Sequence, residues 1–205
     1  MSDAPVSVAA VEAERSRCAW ANSAPEYADY HDEEWGTPLH GDDALFERLC
    51  LEAFQSGLSW ITILRKRPAF RSAFAGFSID AVAHFTEADE ARLLSDAGIV
   101  RNRAKIAAAV RNARAAQQQP EGLADLLWSF APTGPRPRPQ TLADVPATSA
   151  ESVAMARELK RRGFVFVGPT TSYALMQATG MVDDHVAGCF RAAPPGPGKP
   201  APASP

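Results

Sequence analysis

Apolar residues return every three or four positions along most of the chain, the spacing of helices that pack one face against a core. The clearest run follows Asp42 and Asp43 and continues to Gly57. Capping residues, glycines and prolines mark the ends of further helices. These are predicted from Ser59 to Pro68, from Asp80 to Phe85, from Thr86 to Ala97, from Arg101 to Gln117, from Ser149 to Arg162 and from Thr170 to Thr179. The pattern predicts one compact all-α domain.

Several segments depart from this pattern. Residues 164–167 (FVFV) have the composition of a strand, but no partner strand is predicted. The proline-rich stretch from Ala131 to Gln140 is expected to be a loop. Residues 1–16 and the proline-rich residues 192–205 lack the composition of a packed core and are predicted to be disordered tails. The folded domain is expected to span residues 17–191.

The net charge of −3 argues mildly against a nucleic acid partner, because binding to duplex DNA draws on lysine and arginine. The distribution of charge changes that picture. Basic residues cluster at 65–67, at 101–105 and at 160–162. Each cluster alone is also explained as the solvated end of a helix, where the helix dipole favours cations.

Composition also bears on where the protein works. The chain has 205 residues, and no apolar run approaches the roughly 20 residues that span a bilayer. Its three cysteines suggest no disulfide framework. We therefore expect a cytoplasmic protein that does not enter a membrane.

Two cysteines and two histidines form a candidate metal site. Cys18 and His31 lie near the start of the domain, and His185 and Cys189 lie near its end. Two thiolates and two imidazoles suit tetrahedral Zn²⁺, and on a helix His185 and Cys189 would share one face. One ion held by all four would join the two ends of the chain. The alternative is ordinary packing, because the 12 residues between Cys18 and His31 match no common zinc-finger spacing.

Aromatic residues and one carboxylate suggest a binding pocket. Three of the four tryptophans and two of the three tyrosines fall within 41 residues. Flat aromatic faces can hold a base, although large aromatics more often fill cores. Glu52 lies roughly 20° from Leu45 on a helical wheel, at the margin of the apolar face. Its carboxylate must turn out to solvent or face a pocket, because burial without partners is costly.

Residues 93–103 (LLSDAGIVRNR) predict a helix, a tight turn at Gly98 and a second helix. Free N–H groups at such a turn and at the following helix start can cradle a phosphate, with Arg101 and Arg103 beside it. Many folds contain a turn of this kind, so this element alone is a weak signal.

Together these features resemble the 3-methyladenine DNA glycosylase I family of the helix-hairpin-helix DNA glycosylase superfamily. The matching strings cover most of the chain from Arg17 to Cys189. They are RCAW, YHDEEWG, LFERLCLEAFQSGLSWITILRKR, DAGIVRNRAKI and RRGFVFVGPTTSYALMQATGMVDDHVAGC.

The resemblance implies a role for each candidate residue. Cys18, His31, His185 and Cys189 match the family's ligands for one structural zinc ion. Glu52 is implied as the catalytic carboxylate of the pocket that receives the flipped base. The implied base-binding aromatics are Tyr30, Trp60, Trp20 and Trp35. The resemblance also implies that Gly57 and Leu58 wedge into the duplex. Gly98, Arg101 and Arg103, at the predicted turn, are the other expected DNA-binding residues.

The implied activity is excision of 3-methyladenine from alkylated double-stranded DNA by hydrolysis of the N-glycosidic bond, as in base excision repair. A monomer is expected. One alternative is a zinc-stabilised helical DNA-binding module without catalysis, against which Glu52 beside aromatic residues argues. A second is a zinc hydrolase of small molecules, against which a fully occupied ligand set argues.

Overall fold

Nine α-helices and three 3₁₀ helices make up the regular structure of residues 15–192, the part of the chain that the computed structural model describes. The α-helices are α1 (Pro25–Glu33), α2 (Asp42–Gln55), α3 (Trp60–Ala73), α4 (Ile79–Ala83), α5 (Glu87–Ser95), α6 (Arg103–Gln117), α7 (Leu123–Trp128), α8 (Ala150–Arg161) and α9 (Pro169–Ala178). The 3₁₀ helices are Ala19–Ser23, Ala75–Phe77 and Leu142–Asp144. Residues 15–192 contain no strand, and the all-α prediction is confirmed.

Helix α2 is the central helix of the fold. Its residues from Arg48 to Phe54 are all buried, including the charged side chains of Arg48 and Glu52. It packs against α3, α6, α7 and α9. A helix surrounded on all sides can hold a charged residue only where a partner or a cavity meets it. The burial of α2 therefore points to a site beside it.

Helix α3 is longer than the sequence predicts. It was expected to end at Pro68, but it continues to Ala73 with the proline inside. Proline removes one helical hydrogen bond and crowds the preceding turn. The helix continues because its last turns bury Phe70, whose ring lies 4.7 Å from that of Phe54. Core packing outweighs the local cost, and the predicted end was wrong.

The turn between α5 and α6 forms as predicted. Thr86 caps α5 in a capping box with Asp89, and Asn102 caps α6 by accepting a hydrogen bond from the N–H of Lys105. Within the turn, the Asp96 carboxylate accepts a 2.7 Å hydrogen bond from the N–H of Gly98. A side chain at Gly98 would meet Ala69 of α3 at 3.0 Å, so glycine lets the turn approach α3 closely.

The predicted strand at residues 164–167 is wrong. Phe164 and Val167 are buried, but the segment is irregular, and Phe166 has a positive φ of 57°. Asn112 of α6 takes the place of a partner strand. Its side-chain amide donates to the C=O of Val165 at 3.0 Å and accepts from the N–H of Val165 at 2.8 Å.

Two helices lack a clear signal in the sequence. Helix α1 is mostly polar, and only Tyr30 and His31 on it are buried. Helix α7 has six residues, too few for a helical period to stand out. The proline-rich stretch 131–140 is a loop, as expected.

The two predicted tails fall largely outside the described residues. Of residues 1–16 and 192–205, the structure describes only Arg15, Ser16 and Ala192. Among the described helices, none combines the length and apolar character needed to cross a membrane.

Candidate functional site

The four candidate metal ligands come together in one buried cluster. The ligand atoms of Cys18, His31, His185 and Cys189 all lie within 4.8 Å of one another. The Cys189 sulfur lies 3.3 Å from His31 Nε2 and 3.5 Å from His185 Nδ1. The Cys18 sulfur lies 3.8 Å from His185 Nδ1. A tetrahedral zinc ion separates such ligand atoms by about 3.3–3.8 Å, so the four residues fit one ion.

Different elements deliver these ligands. Cys18 precedes the first 3₁₀ helix, and His31 lies on α1. His185 and Cys189 follow α9 in a non-helical segment that turns at Gly188, so a helix is not what brings them together. Gly36 lets the chain pass close to this segment, since its φ is +75° and a Cβ there would lie 2.8 Å from His185 Nε2.

The second ring nitrogen of each histidine is also fixed. His31 Nδ1 lies 2.9 Å from the Asp32 carboxylate, which Arg17 holds through a bidentate pair. His185 Nε2 lies 3.3 Å from the carbonyl oxygen of Trp35. Metal-bound histidines usually show such partners, because these set the tautomer and aim the ring.

Burial sets the protonation states of the cluster residues when no cation is bound. Burial raises the pKa of the Cys18 thiol to about 11, and burial lowers the pKa of His185 to about 4. Without a cation, the cluster therefore holds a neutral thiol and a neutral imidazole. A dication would favour the thiolate, which is the form that binds metal. The arrangement can hold a metal ion with four protein ligands.

A pocket of about 520 Å³ opens beside this cluster. Its size is that of a site for a small molecule or a single base. Its walls are formed by Trp20, Ser23, Tyr27, Tyr30, Trp35, Glu52, Gln55, Trp60, Leu142, Val145, Ala174, Gln177 and Asp184. All five residues that the sequence analysis assigned to the base pocket are among them.

Glu52 and Asp184 are the two buried carboxylates among the residues that line this pocket. Glu52 is 6% exposed, and no described residue donates a hydrogen bond to its carboxylate. Burial raises the pKa of Glu52 to about 7, while the positive charge of Arg48 opposes that rise. A buried carboxylate without a donor can accept hydrogen bonds from a ligand and stabilise positive charge on it.

A charged network fixes the side of the pocket next to Glu52. The Arg48 guanidinium donates to the Tyr30 hydroxyl at 3.2 Å and to the Glu34 carboxylate at 3.0 Å. Arg67 of α3 binds both oxygens of Glu34, at 2.6 and 2.5 Å. Bidentate pairs of this kind are geometrically specific. They hold α1, α2 and α3 together, and with them the ring of Tyr30.

The aromatic walls contain one buried polar atom that has no hydrogen bond partner among the described residues. The rings of Tyr30 and Trp60 lie 5.4 Å apart, and Trp20 packs edge-on against Trp35 at 5.2 Å. The buried indole N–H of Trp60 donates to no described residue. Buried donors are rarely left unpaired, so this N–H is a further polar group that a ligand could use.

The pocket and the metal cluster share segments of the chain. Tyr30 and His31 are neighbours on α1, and Asp184 and His185 are neighbours after α9. In each pair, the first residue lines the pocket and the second belongs to the cluster. Sequence analysis missed Asp184, which is buried and accepts a 2.6 Å hydrogen bond from the Tyr173 hydroxyl. Its place next to a predicted metal ligand was the available signal.

The candidate DNA-binding residues lie at the protein surface. Gly57 has a φ of +80°, and the side chain of Leu58 is 41% exposed. Arg101 and Arg103 are exposed, and neither pairs with an acidic side chain in residues 15–192. Gly98 lies in the turn before them.

Comparison with known proteins identifies the family. The sequence profile described as methyladenine glycosylase matches residues 20–192. The chain belongs to the methyladenine glycosylase family. The matched region begins two residues after Cys18, and it contains all the remaining candidate site residues of this methyladenine glycosylase.

Individual relatives agree with this family. This methyladenine glycosylase is 46% identical to DNA-3-methyladenine glycosylase 1 of Escherichia coli strain K12, over 84% of this chain and 95% of that one. It resembles a crystal structure of 3-methyladenine DNA glycosylase I at 44% identity, with a TM-score of 0.83, over 87% of this chain and all of that one. It also resembles a variant of 3-methyladenine DNA glycosylase I solved in complex with 3-methyladenine, at 33% identity, a TM-score of 0.81, and 87% and 98% coverage.

Proposed function

We propose that this methyladenine glycosylase flips 3-methyladenine out of alkylated double-stranded DNA and hydrolyses its N-glycosidic bond, leaving an abasic site for base excision repair. The observation that carries this proposal is the aromatic pocket of about 520 Å³ with the carboxylate of Glu52 buried in its wall. Such a pocket suits a flat base that carries positive charge.

Cleavage of this glycosidic bond requires little acid catalysis from the protein. Methylation at N3 of a purine nucleotide leaves the base cationic, so it departs with the electron pair of the glycosidic bond and becomes neutral. A water oxygen bonds to the sugar C1′ and releases a proton. Glu52 binds the cationic base and stabilises the positive charge that develops near it as the bond breaks. Selection and extrusion of the damaged base then supply much of the specificity.

The proposed base-binding residues have different roles. Trp60 and Tyr30 supply faces for the base, and Arg48 fixes the hydroxyl of Tyr30. Trp20 and Trp35 form a further aromatic wall of the pocket. Burial raises the pKa of Tyr30, so its hydroxyl stays neutral and can act as a hydrogen bond donor.

We expect Trp60→Ala to lower the rate of 3-methyladenine excision by about tenfold or more, because stacking on an aromatic side chain is worth about 1–3 kcal/mol per base. Trp60→Phe should be milder, since it keeps an aromatic face. Single-turnover excision from alkylated duplex DNA measures both. Trp128→Phe is the matched control, because Trp128 stacks on His40 outside the pocket. Equal rates for Trp60→Ala and wild type would contradict the stacking role.

We propose that Gly57 and Leu58 enter the duplex where the base has left, and that the turn at Gly98 binds the backbone with Arg101 and Arg103. Arg101→Ala or Arg103→Ala should weaken binding to any duplex and reduce the salt slope of log K by about 1. Affinity for free 3-methyladenine should not change. Salt titrations of duplex binding measure the slope, and the exposed Arg157 provides a control. An equal loss of affinity for free base would contradict this assignment.

The test of the function is an excision assay on alkylated duplex DNA that scores free 3-methyladenine and abasic sites. Release of the free base supports the glycosylase. Duplex binding without release would instead favour the helical DNA-binding module without catalysis. The second alternative, a small-molecule zinc hydrolase, needs an open position on the metal, whereas this cluster offers four protein ligands.

We propose further that the Cys18, His31, His185 and Cys189 cluster binds one Zn²⁺ with a structural role. Bound there, the ion would link the segment before α1 to the segment after α9. We also propose a monomer, since one chain supplies the pocket and the DNA-binding residues. A cytoplasmic location suits both DNA repair and a site that needs reduced thiols.

A further inference from the structure

Two of the few lysines lie in unusual surroundings. Only four of the 21 basic residues are lysines, and Lys66, Lys105 and Lys160 lie in residues 15–192. Lys160 is exposed, whereas Lys105 is 8% exposed and carries no acidic partner among the described residues. A buried ammonium group without a carboxylate needs other acceptors. The acceptors that Lys105 uses are backbone carbonyls.

Lys105 binds the end of α2. Its Nζ donates to the carbonyl oxygen of Phe54 at 2.8 Å and to that of Ser56 at 2.5 Å. These carbonyls belong to the last turn of α2 and to the residue that follows it. A cation suits this place, because the last carbonyls of a helix lack partners within the helix and carry its negative dipole end. Gly57 and Leu58 come directly after this point.

Lys66 makes a similar contact in the opposite direction, from α3 to the turn before α6. It lies on α3, which begins after the loop that contains Gly57 and Leu58. Its Nζ donates to the carbonyl oxygens of Ala97 and Gly98 at 3.0 and 3.1 Å. Those carbonyls lie in the turn between α5 and α6. One lysine therefore reaches from α6 to the end of α2, and the other reaches from α3 to the turn before α6.

Together the two contacts join the two proposed DNA-binding segments. The proposed wedge, Gly57 and Leu58, lies between α2 and α3, and the turn at Gly98 precedes α6. A compact ammonium group with three donors can bind two carbonyls at once. These bonds fix the wedge relative to the turn, and through α2 relative to Glu52. A shift of about 1 Å in such a constellation can slow a reaction by about a hundredfold.

We propose that Lys105, with Lys66, is a positioning residue. It holds the wedge in a fixed position relative to the phosphate-binding turn when the base is extruded. This proposal rests on the proposed function. It does not require Lys105 to contact DNA or base, because its ammonium group is bound to the Phe54 and Ser56 carbonyls. Burial lowers the pKa of Lys105, which is consistent with a charge kept in an unfavourable place.

The test compares Lys105→Met, Lys105→Arg and Lys66→Met with wild type. Methionine keeps much of the length of lysine but cannot donate to the carbonyls. We expect Lys105→Met to lower single-turnover excision from duplex DNA by between about ten- and a hundredfold. A 2-aminopurine placed next to the lesion should show less unstacking. Affinity for free 3-methyladenine should stay within about twofold. Lys105→Arg should recover part of the rate, and Lys66→Met should be milder.

The exposed Lys160→Met is the matched control and should behave as wild type. Wild-type excision and unstacking in folded Lys105→Met and Lys66→Met would overturn the positioning role. An equal loss of free-base binding would overturn it as well, because the defect would then lie in the pocket. If Lys105→Met does not fold, Lys66→Met decides by the same readouts. Failure of the wild-type protein to release 3-methyladenine would overturn the proposed function itself, which the other outcomes do not.

Discussion

Replacing Glu52 with glutamine is expected to lower the rate of 3-methyladenine release from duplex DNA by about ten- to a hundredfold. The substitution keeps the shape of the side chain but removes the negative charge and exchanges one acceptor for a donor. Hydrogen bonds that involve charged groups contribute about 1.5–3 kcal/mol, and 1.36 kcal/mol is a factor of ten in rate. Single-turnover excision, with zinc content measured in parallel, checks the expectation. Wild-type rates in a folded, zinc-loaded Glu52→Gln protein would place the active pocket elsewhere.

The pH dependence of the excision rate provides an independent test of the role of Glu52. Burial raises the pKa of Glu52 to about 7, so in the free protein the carboxylate ionises only as the pH rises through that value. Excision by wild type should therefore increase with pH across this range, and excision by Glu52→Gln should lose that part of the profile. Glu47→Gln is the matched control, because Glu47 lies on the same helix and pairs with Arg71.

The contribution of Glu52 to the free energy of unfolding should fall with increasing pH, over the same range in which the excision rate rises. A carboxyl group whose pKa is raised in the folded protein stabilises the fold fully at pH values below its ordinary pKa of 4.5. That contribution is lost as the pH rises through the raised pKa of about 7. The shift corresponds to about 3 kcal/mol for this buried group, as an order of magnitude. Glu52→Gln should accordingly have a higher Tm than wild type at pH 8 and a similar Tm at pH 4.

The second large effect concerns the metal cluster. Cys189→Ser should abolish the binding of about one zinc ion per chain and lower the Tm by roughly 10 °C. Loss of a structural metal site costs on the order of 4 kcal/mol, and 1 kcal/mol corresponds to about 2–4 °C in a chain of this size. Elemental analysis and thermal unfolding measure the two quantities. A metal-free preparation with the Tm of the zinc-loaded protein would show that the cluster does not hold the fold together.

Cys50 provides a control for this experiment. It is buried in α2, away from the four ligands. Cys50→Ala should lower the Tm through lost packing while leaving the zinc content unchanged. The comparison separates removal of a buried thiol from removal of a metal ligand.

Helical periodicity predicted most of the fold because most helices bury one face. It failed where local preference and tertiary packing disagree. Proline predicted an end to α3, but burial of Phe70 extends the helix beyond it. Four residues with strand-forming side chains predicted a strand, but a side chain of α6 satisfies the backbone of Val165. Neither contact is visible in a local window of sequence.

The candidate site was predicted at the level of residues and not of their arrangement. Spacing alone left the four metal ligands open to ordinary packing, since a cluster formed across almost the whole chain leaves no short motif. The helical wheel placed Glu52 at the margin of the apolar face, and it could not distinguish solvent from a pocket. In the structure, every residue of α2 from Arg48 to Phe54 is buried, and Glu52 lines a pocket. Residues that hold others in place, such as Arg48 and Lys105, carry no signature in sequence, because their partners are distant in the chain.

The pairing of Asn112 with Val165 has a consequence for solubility. A run such as FVFV with free backbone groups is a template on which other chains can add strands, and natural proteins protect such edges. Here one asparagine amide occupies both the N–H and the C=O of Val165, while Phe164 and Val167 are buried on either side. The segment that most resembles an aggregation-prone strand is therefore closed at its centre to pairing between molecules.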